Sequence, residues 1–150
     1  MAGITLRSSA FDDHTLIPRE YSHEEGDVSP PLEWSGVPPE AAELALVCED
    51  PDAPRGTFTH WLVAGIPPET DGLAAGAELK EYVVGRSDFG QEGYGGPHPP
   101  VGDDPHRYFF RLYALSSPSG LADGFTAERF RRAVEGKVIA SGTLVGTYGR

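Results

Sequence analysis

Short apolar segments alternate along the chain with polar segments rich in glycine and proline, and most of the apolar segments have a period of two residues. That period places every second side chain on one face of a β-strand. Segment 43–50 is the clearest case, because Leu44, Leu46, Cys48 and Asp50 fall on the same face. The pattern predicts strands or extended segments over residues 3–11, 29–34, 43–50, 57–66, 81–84, 107–115 and 143–148.

Two of these segments place a histidine in register with an apolar face. In segment 57–66 the predicted face holds Phe58, His60, Leu62, Ala64 and Ile66. In segment 107–115 it holds Tyr108, Phe110, Leu112 and Ala114. His106 joins this second face if the strand begins one residue earlier. An ionisable side chain in an apolar strand carries a desolvation cost, so each histidine indicates either internal pairing or a function.

One helix is predicted after the last long apolar strand segment. Thr126 can cap it by accepting a hydrogen bond from a free amide of the first turn. The apolar residues at helical spacing behind it are Phe130, Ala133, Val134 and Val138. Six or seven strands with one helix predict a mainly β fold packed as two sheets, with residues 1–150 forming a single domain.

The composition argues against several kinds of partner. Twelve Lys and Arg against 23 Asp and Glu give a net charge of −11, whereas nucleic-acid-binding surfaces are basic. No cationic cluster lies beside an apolar stretch, and no apolar run approaches the roughly 18 residues of a membrane span. The first residues lack the apolar core of a secretion signal. We therefore expect a cytoplasmic protein with no nucleic-acid partner and no stable membrane association.

Two stiff loops each lead to one of the histidines. Asp50-Pro-Asp-Ala-Pro54 precedes His60, and Gly93-Tyr-Gly-Gly-Pro97-His-Pro-Pro100 precedes His106. Proline has already lost its φ freedom, so such loops hold a shape at little entropic cost. A long ordered loop in a small domain is also often functional. The sequence therefore predicts one preformed pocket to which Asp50 and both histidines contribute.

Several chemistries are open to such a pocket. Asp50 favours the charged forms of nearby imidazoles, which can then hold a small anion. The same groups could activate a water molecule for hydrolysis, although no motif with a dedicated nucleophile is present. Two histidines and an aspartate could bind zinc, but these three lie far apart in the sequence. Cys48 is predicted to be a buried, inert thiol, and as the single cysteine it excludes an intrachain disulfide.

A set of ordered motifs covers nearly the whole chain. They are Ser29-Pro-Pro-Leu-Glu-Trp-Ser-Gly-Val-Pro38, Asp50-Pro-Asp-Ala-Pro54, Gly56-Thr-Phe-Thr-His-Trp61, Asp88-Phe-Gly90, Gly93-Tyr-Gly-Gly-Pro97, Pro99-Pro100 and His106-Arg-Tyr108. Together they resemble the phosphatidylethanolamine-binding protein family, in particular its prokaryotic Raf-kinase-inhibitor-like branch. The resemblance implies a large antiparallel sheet packed with a smaller sheet, one or two short helices, and a small cavity for phosphate-like or carboxylate anions. It also implies a homodimer.

The resemblance carries ligand-binding roles to ten positions of this chain. They are Asp50, Asp52, Pro54, His60, Gly96, Pro97, Pro99, Pro100, His106 and Tyr108. We expect no catalytic residue, no metal and no cofactor. Two departures from the family pattern lie nearby, since Ser87 stands where asparagine is usual and His98 where a small residue or cysteine is usual.

We expect from this a regulatory module that binds a small anion: a phosphate, a phosphorylated headgroup or a carboxylate. In this interpretation His60 and His106 donate to the anion, and Asp50 orients them. The hydroxyl of Tyr108 and amides near Gly96 complete the cradle. Two alternatives stay open. One is a protein-interaction module that inhibits a kinase or a protease, and the other is a metal-independent hydrolase using Asp50 with His60 or His106.

Overall fold

Long paired strands form the centre of the molecule, and their ends support the site described below. The computed structural model describes residues 3–150. Its strands are β1 (Thr5–Arg7), β2 (Thr15–Leu16), β3 (Leu32–Ser35), β4 (Glu43–Asp50), β5 (Phe58–Ile66), β6 (Gly72–Leu73), β7 (Val83–Val84), β8 (His106–Leu115) and β9 (Val138–Tyr148). The helices are α1 (Ala127–Val134) and a 3-10 turn at Arg19–Tyr21. The mainly β fold predicted from the sequence is confirmed.

The strands form two sheets. Six of them make a large sheet in the order β2-β9-β8-β4-β5-β7, and three make a smaller sheet in the order β1-β3-β6. Neighbouring strands are antiparallel, except that β2 runs parallel to β9 at one edge. Strand β4 occupies the predicted residues, and β8 begins at His106, one residue before the predicted start. His106 is therefore in register with Tyr108.

Strand β4 is buried on both faces. Leu44, Leu46 and Cys48 pack in the main core, between the large sheet and the smaller one. Ala45 and Val47 pack on the opposite face, where α1 and the segment before it supply Phe125 and Phe130. This double burial makes the end of β4 a fixed support for Asp50.

The C-terminal part differs from the prediction at one residue of the helix. Thr126 caps α1 as predicted, because its hydroxyl accepts a hydrogen bond from the amide of Arg129 at 3.2 Å. Val138 was expected on the helix but is the first residue of β9. The reason is Gly136, whose left-handed backbone (φ 76°) reverses the chain after the helix. Strand β9 therefore begins at Val138 instead of residue 143.

Two bulges in β5 overturn the predicted common face of that strand. Cys48 lies opposite Trp61, but the next residue of β4 lies opposite Thr59, so His60 is an extra residue. A second shift occurs where Gly65 has a left-handed φ of 67°. As a result Leu62 and Ala64 face α1, on the other side of the sheet from the main core. A bulge of this kind redirects a side chain, and here the side chain is that of His60.

Candidate functional site

A cavity opens at the end of the large sheet where β4 ends and its two neighbours begin. Asp50 is the last residue of β4, Phe58 the first of β5 and His106 the first of β8. The cavity has a volume of about 210 Å³. Its lining residues are Asp50, Ala53, Pro54, Phe58, His60, Phe89, His98, Pro99, Pro100 and His106. The aspartate and the two histidines that the sequence placed in one pocket all line it.

A buried ion pair forms one wall of the cavity. The Nδ1 atom of His106 donates to Oδ2 of Asp50 at 2.7 Å, and both side chains are about 95% buried. The other oxygen of Asp50 accepts from the amide of Asp52 at 2.8 Å. Burial lowers the pKa of His106, but its hydrogen bonds with Asp50 and Asp103 outweigh burial and raise that pKa above its ordinary value. The shift favours the imidazolium form of His106, which is also the form whose two N–H groups can both donate to carboxylates.

The second nitrogen of His106 is also engaged. Its Nε2 atom donates to Oδ2 of Asp103 at 3.1 Å, and the Asp103 side chain is 43% exposed. Both N–H groups of the imidazolium are thus directed at carboxylates. An anion can accept from His106 only by displacing Asp103, which its exposure permits. His106 was expected to donate directly to a ligand, and Asp103 would compete with that ligand for the Nε2–H group.

His60 presents the opposite electrostatic situation. Its Nδ1 atom lies 2.8 Å from the carbonyl oxygen of Gly95, and the amide of Gly95 donates back to the His60 carbonyl at 2.9 Å. Burial lowers the pKa of His60, and its hydrogen bond to Gly95 only partly offsets this. The ring is therefore neutral at neutral pH, with its proton on Nδ1. The hydrogen bonds of the described chain leave Nε2 free as an acceptor.

Tyr108 lies beneath the cavity and does not line it. Its ring meets the ring of His60 edge to face, with 5.2 Å between centroids. The hydroxyl is buried and has no hydrogen bond of good geometry among residues 3–150, although Asp50 and the backbone of His98 lie close enough to shift its pKa. Burial raises the pKa of Tyr108 far above its ordinary value, and the charge of Asp50 adds to this, so the hydroxyl keeps its proton. The expectation that Tyr108 contacts a ligand therefore stays a prediction.

Asp52 holds the first loop in place instead of lining the cavity. Its Oδ2 atom accepts from the amide and from Nε of Arg107, both at 2.9 Å, and Oδ1 accepts from Nη2 at 2.8 Å. The hydrogen bonds from Arg107 lower the pKa of Asp52 to about 2. The carboxylate thus fastens residues 51–57 to β8, and a role for it in ligand contact stays a prediction.

Gly96 and Pro97 belong to the scaffold of the second loop. The amide of Gly96, expected to face an anion, donates instead to Oδ1 of Asp27 at 2.7 Å. A Cβ atom on Gly96 would lie 2.2 Å from the carbonyl oxygen of Tyr21, so only glycine permits this approach. The carbonyl of Pro97 accepts from the amide of His23 at 3.0 Å. These contacts fix the loop that carries Gly95, the partner of His60.

Four lining residues were absent from the predicted set: Ala53, Phe58, Phe89 and His98. Phe89 stacks on His23 at 4.5 Å and meets His60 edge to face at 5.4 Å. The buried Ser87 supports it, since its hydroxyl accepts from the Phe89 amide at 3.3 Å. Ala53 lies in the motif that contains Pro54, and Phe58 lies in the motif that contains His60. Their positions next to predicted site residues could therefore have indicated them. His98 adds a third imidazole, whose pKa is lowered by burial and by Arg150.

The arrangement suits binding of a small ligand through hydrogen bonds. Across residues 3–150, no group of three or more His, Cys, Asp or Glu side chains is placed to hold a metal ion. None of the helices in that range is long and apolar enough to cross a membrane. The cavity offers the imidazole of His106, which is already hydrogen-bonded to Asp50 and Asp103, and the free Nε2 of His60. Its rim is stiff and apolar, and is formed by proline and phenylalanine side chains.

Comparison with known proteins agrees with this architecture. The model of the family described as phosphatidylethanolamine-binding protein matches residues 7–149. A UPF0098 protein of Methanothermobacter thermautotrophicus is 45% identical over 152 aligned positions, which cover 98% of this chain and 99% of that protein. Among solved structures, YbcL of E. coli, a member of the mammalian PEBP family, has a TM-score of 0.93 at 30% identity and 99% coverage of both chains. The PEBP homologue CT736 of Chlamydia trachomatis has a TM-score of 0.92 at 39% identity, covering 100% of this chain and 99% of its own.

Proposed function

This chain belongs to the phosphatidylethanolamine-binding protein family, and on that premise we propose that it is a regulatory module that binds a small anion. The ligand is a phosphate group, a phosphorylated headgroup or a carboxylate. One observation carries the proposal: the Asp50–His106 ion pair and the free Nε2 of His60 meet in one cavity. Family membership supports ligand binding or regulation in general, and the geometry of these three residues supports the anion.

The size of the cavity favours a small group. Its volume is about 210 Å³, below the roughly 300–1,000 Å³ typical of sites that enclose a drug-sized ligand. Only one end of a larger molecule would fit inside. The anionic end is favoured once His60 is protonated, because its Nε2–H then donates into the cavity, and because displacement of the exposed Asp103 frees the second N–H of His106.

Binding of an anion should depend on pH through both histidines. Neutral His60 presents a lone pair at Nε2, which repels an oxyanion, whereas protonated His60 donates there. Because burial lowers the pKa of His60, this conversion requires a pH below the ordinary histidine range, or an anion that stabilises the added proton. His106 has a raised pKa and loses its charge only as the pH rises above the ordinary range. Both effects strengthen binding as the pH falls.

Calorimetric titration of the full chain with inorganic phosphate and with phosphoethanolamine tests this proposal. We expect tighter binding at about pH 5.5 than at about pH 8, and we expect His60→Gln to lose most of that gain. The exposed His14 provides a control, since His14→Gln should bind like the wild type. Equal affinity at both pH values, or wild-type binding by His60→Gln, would overturn the proposal. Turnover of a phosphoester in the same samples would favour the hydrolase alternative.

A further inference from the structure

A second cavity shares a wall with the anion cavity. Its volume is about 540 Å³, and its lining residues are Ala53, Pro54, Arg55, Gly56, Thr57, Phe58 and Asp88. Ala53, Pro54 and Phe58 also line the anion cavity. All three keep exposed surface, so a single layer of side chains, open to solvent, separates the two spaces. A molecule seated in the first cavity can therefore reach the second by lying across this layer.

Arg55 is the cation of the second cavity, and its charge is not used within the protein. Its side chain is exposed, and it takes part in none of the ion pairs or side-chain hydrogen bonds found among residues 3–150. In contrast, Arg107 and Arg111 are both paired with carboxylates. The single carboxylate lining this cavity, Asp88, already accepts from the amide of Thr59 at 2.7 Å. The side chains of Arg19, Arg129 and Arg131 are also without such partners among residues 3–150, but none of them lines either cavity, so Arg55 is distinguished by its position.

The anion cavity lacks positive charge of its own. The charges of Asp50 and His106 cancel, and Asp103 adds a negative charge beside them. His60 is neutral at neutral pH because burial lowers its pKa. A ligand with more than one negative charge therefore needs a cation from outside this cavity. The shared wall places Arg55 beside it.

We propose that Arg55 and the cavity it borders form a second subsite, so that the preferred ligand is an elongated molecule with two anionic groups joined by a short apolar linker. One anionic group lies beside His60 and His106, and the linker crosses Pro54 and Phe58. The other group pairs with the guanidinium of Arg55, whose planar fork suits carboxylate or phosphate oxygens. The exposed apolar wall matches the methylene groups of the linker. This inference rests on the function proposed for the first cavity.

Two kinds of probe test the second subsite. Ethyl phosphate carries one phosphate group. The second kind of probe is a series of linear alkanediols of increasing chain length with a phosphate ester at each end, called diphosphates below. Affinities for both are measured calorimetrically at low ionic strength for the wild type, Arg55→Gln and a control. Arg129→Gln is the matched control, because Arg129 is exposed on α1 and lies outside both cavities.

We expect the wild type to bind a diphosphate of suitable length more tightly than ethyl phosphate. Arg55→Gln should weaken diphosphate binding about three- to fivefold, as expected for a partly exposed charge pair, and leave ethyl phosphate within about twofold. Arg129→Gln should change neither, and added salt should shrink the effect of Arg55.

The outcomes separate this inference from the proposed function. If ethyl phosphate binds in a His60-dependent way but no diphosphate binds more tightly, the second subsite is wrong and the first stands. An equal loss for both probes, or the same loss in Arg129→Gln, would show a general charge effect and also overturn the subsite. If neither probe binds, both proposals fail.

Discussion

The Nδ1 atom of His106 lies 2.7 Å from Oδ2 of Asp50, although 56 residues separate them in the sequence. The contact joins the first residue of β8 to the last residue of β4, and these strands are neighbours in the large sheet. Strand pairing fixes both backbones. The ion pair is therefore in place before any ligand arrives, which lowers the entropic cost of binding.

Replacing Asp50 with asparagine should make stability less dependent on pH. The raised pKa of His106 means that its stabilising contribution is complete below the ordinary histidine pKa and is lost as the pH rises through the raised value. We expect Asp50→Asn to lower the free energy of unfolding by about 1–3 kcal/mol at about pH 6, and by less at about pH 9. Urea denaturation at the two pH values measures this.

Asp104 provides the control for that experiment, because it is an exposed neighbour outside the ion pairs of residues 3–150. Asp104→Asn should leave the free energy of unfolding nearly unchanged at both pH values. An equal destabilisation by Asp50→Asn at pH 6 and pH 9 would show that the charge of His106 is not what Asp50 stabilises.

Removing the charge of Asp103 should strengthen anion binding. The carboxylate of Asp103 accepts a hydrogen bond from Nε2 of His106 at 3.1 Å, so it competes with any anion for that donor. We expect Asp103→Asn to bind inorganic phosphate about three- to fivefold more tightly at about pH 6, below the ordinary pKa of histidine. Calorimetry provides the affinities. Weaker binding by Asp103→Asn would indicate that this carboxylate supports the ligand instead of competing with it.

Tyr108→Phe should separate stability from binding. The buried hydroxyl has no hydrogen bond of good geometry among residues 3–150, so its removal relieves a desolvated polar group and should leave the free energy of unfolding unchanged or raise it by about 1 kcal/mol. Phosphate affinity should fall if the hydroxyl donates to the ligand. Chemical denaturation and calorimetry on the same sample measure both. A loss of stability would indicate a hydrogen-bond partner for the hydroxyl, and an unchanged affinity would remove Tyr108 from the site.

Gly96→Ala should damage both the fold and the site. The added Cβ would lie 2.2 Å from the carbonyl oxygen of Tyr21, a backbone atom that cannot move freely. We expect a loss of about 3 kcal/mol and weaker phosphate binding, because the same loop carries Gly95, which orients His60. Gly90→Ala is the comparison. A Cβ at residue 90 would meet no other atom, but the backbone has a φ of 87°, so the substitution should lower the free energy of unfolding by about 1 kcal/mol. Equal effects would refute a steric role for Gly96.

The sequence predicted the long strands and the meeting of three side chains well. Strand β4 is buried on both faces, so its apolar run has sharp limits at Glu43 and Asp50. The end of that run also located Asp50 at the end of a central strand. Thr126 indicated where α1 begins, because its capping hydrogen bond to the Arg129 amide involves only residues close to it in the sequence. Features determined within one segment were therefore predictable.

Apart from the meeting of Asp50, His60 and His106, features determined by pairing between segments were not predictable. The bulge at His60 arises from the register of β5 against β4, and a single strand carries no record of its partner's register. The engagement of His106 by Asp103, and of the Gly96 amide by Asp27, likewise joins groups whose proximity depends on loop conformation. Val138 was assigned to the helix because its spacing suits one, although Gly136 ends the helix before it. Phe89 was absent from the predicted site because it reaches the cavity through tertiary packing against His23 and His60.

The state of the His60 ring on anion binding tests the central claim most directly. Nitrogen-15 spectra of the histidine rings, recorded at about pH 7 during titration with inorganic phosphate, distinguish a protonated Nε2 from an acceptor. We expect His60 to pass from a neutral ring protonated at Nδ1 to a doubly protonated ring as phosphate saturates, while exposed His14 does not change. If the Nε2 signal of His60 is unchanged at saturating phosphate, neither a proton nor a hydrogen bond from a phosphate O–H reaches that nitrogen, and the account of this cavity is contradicted.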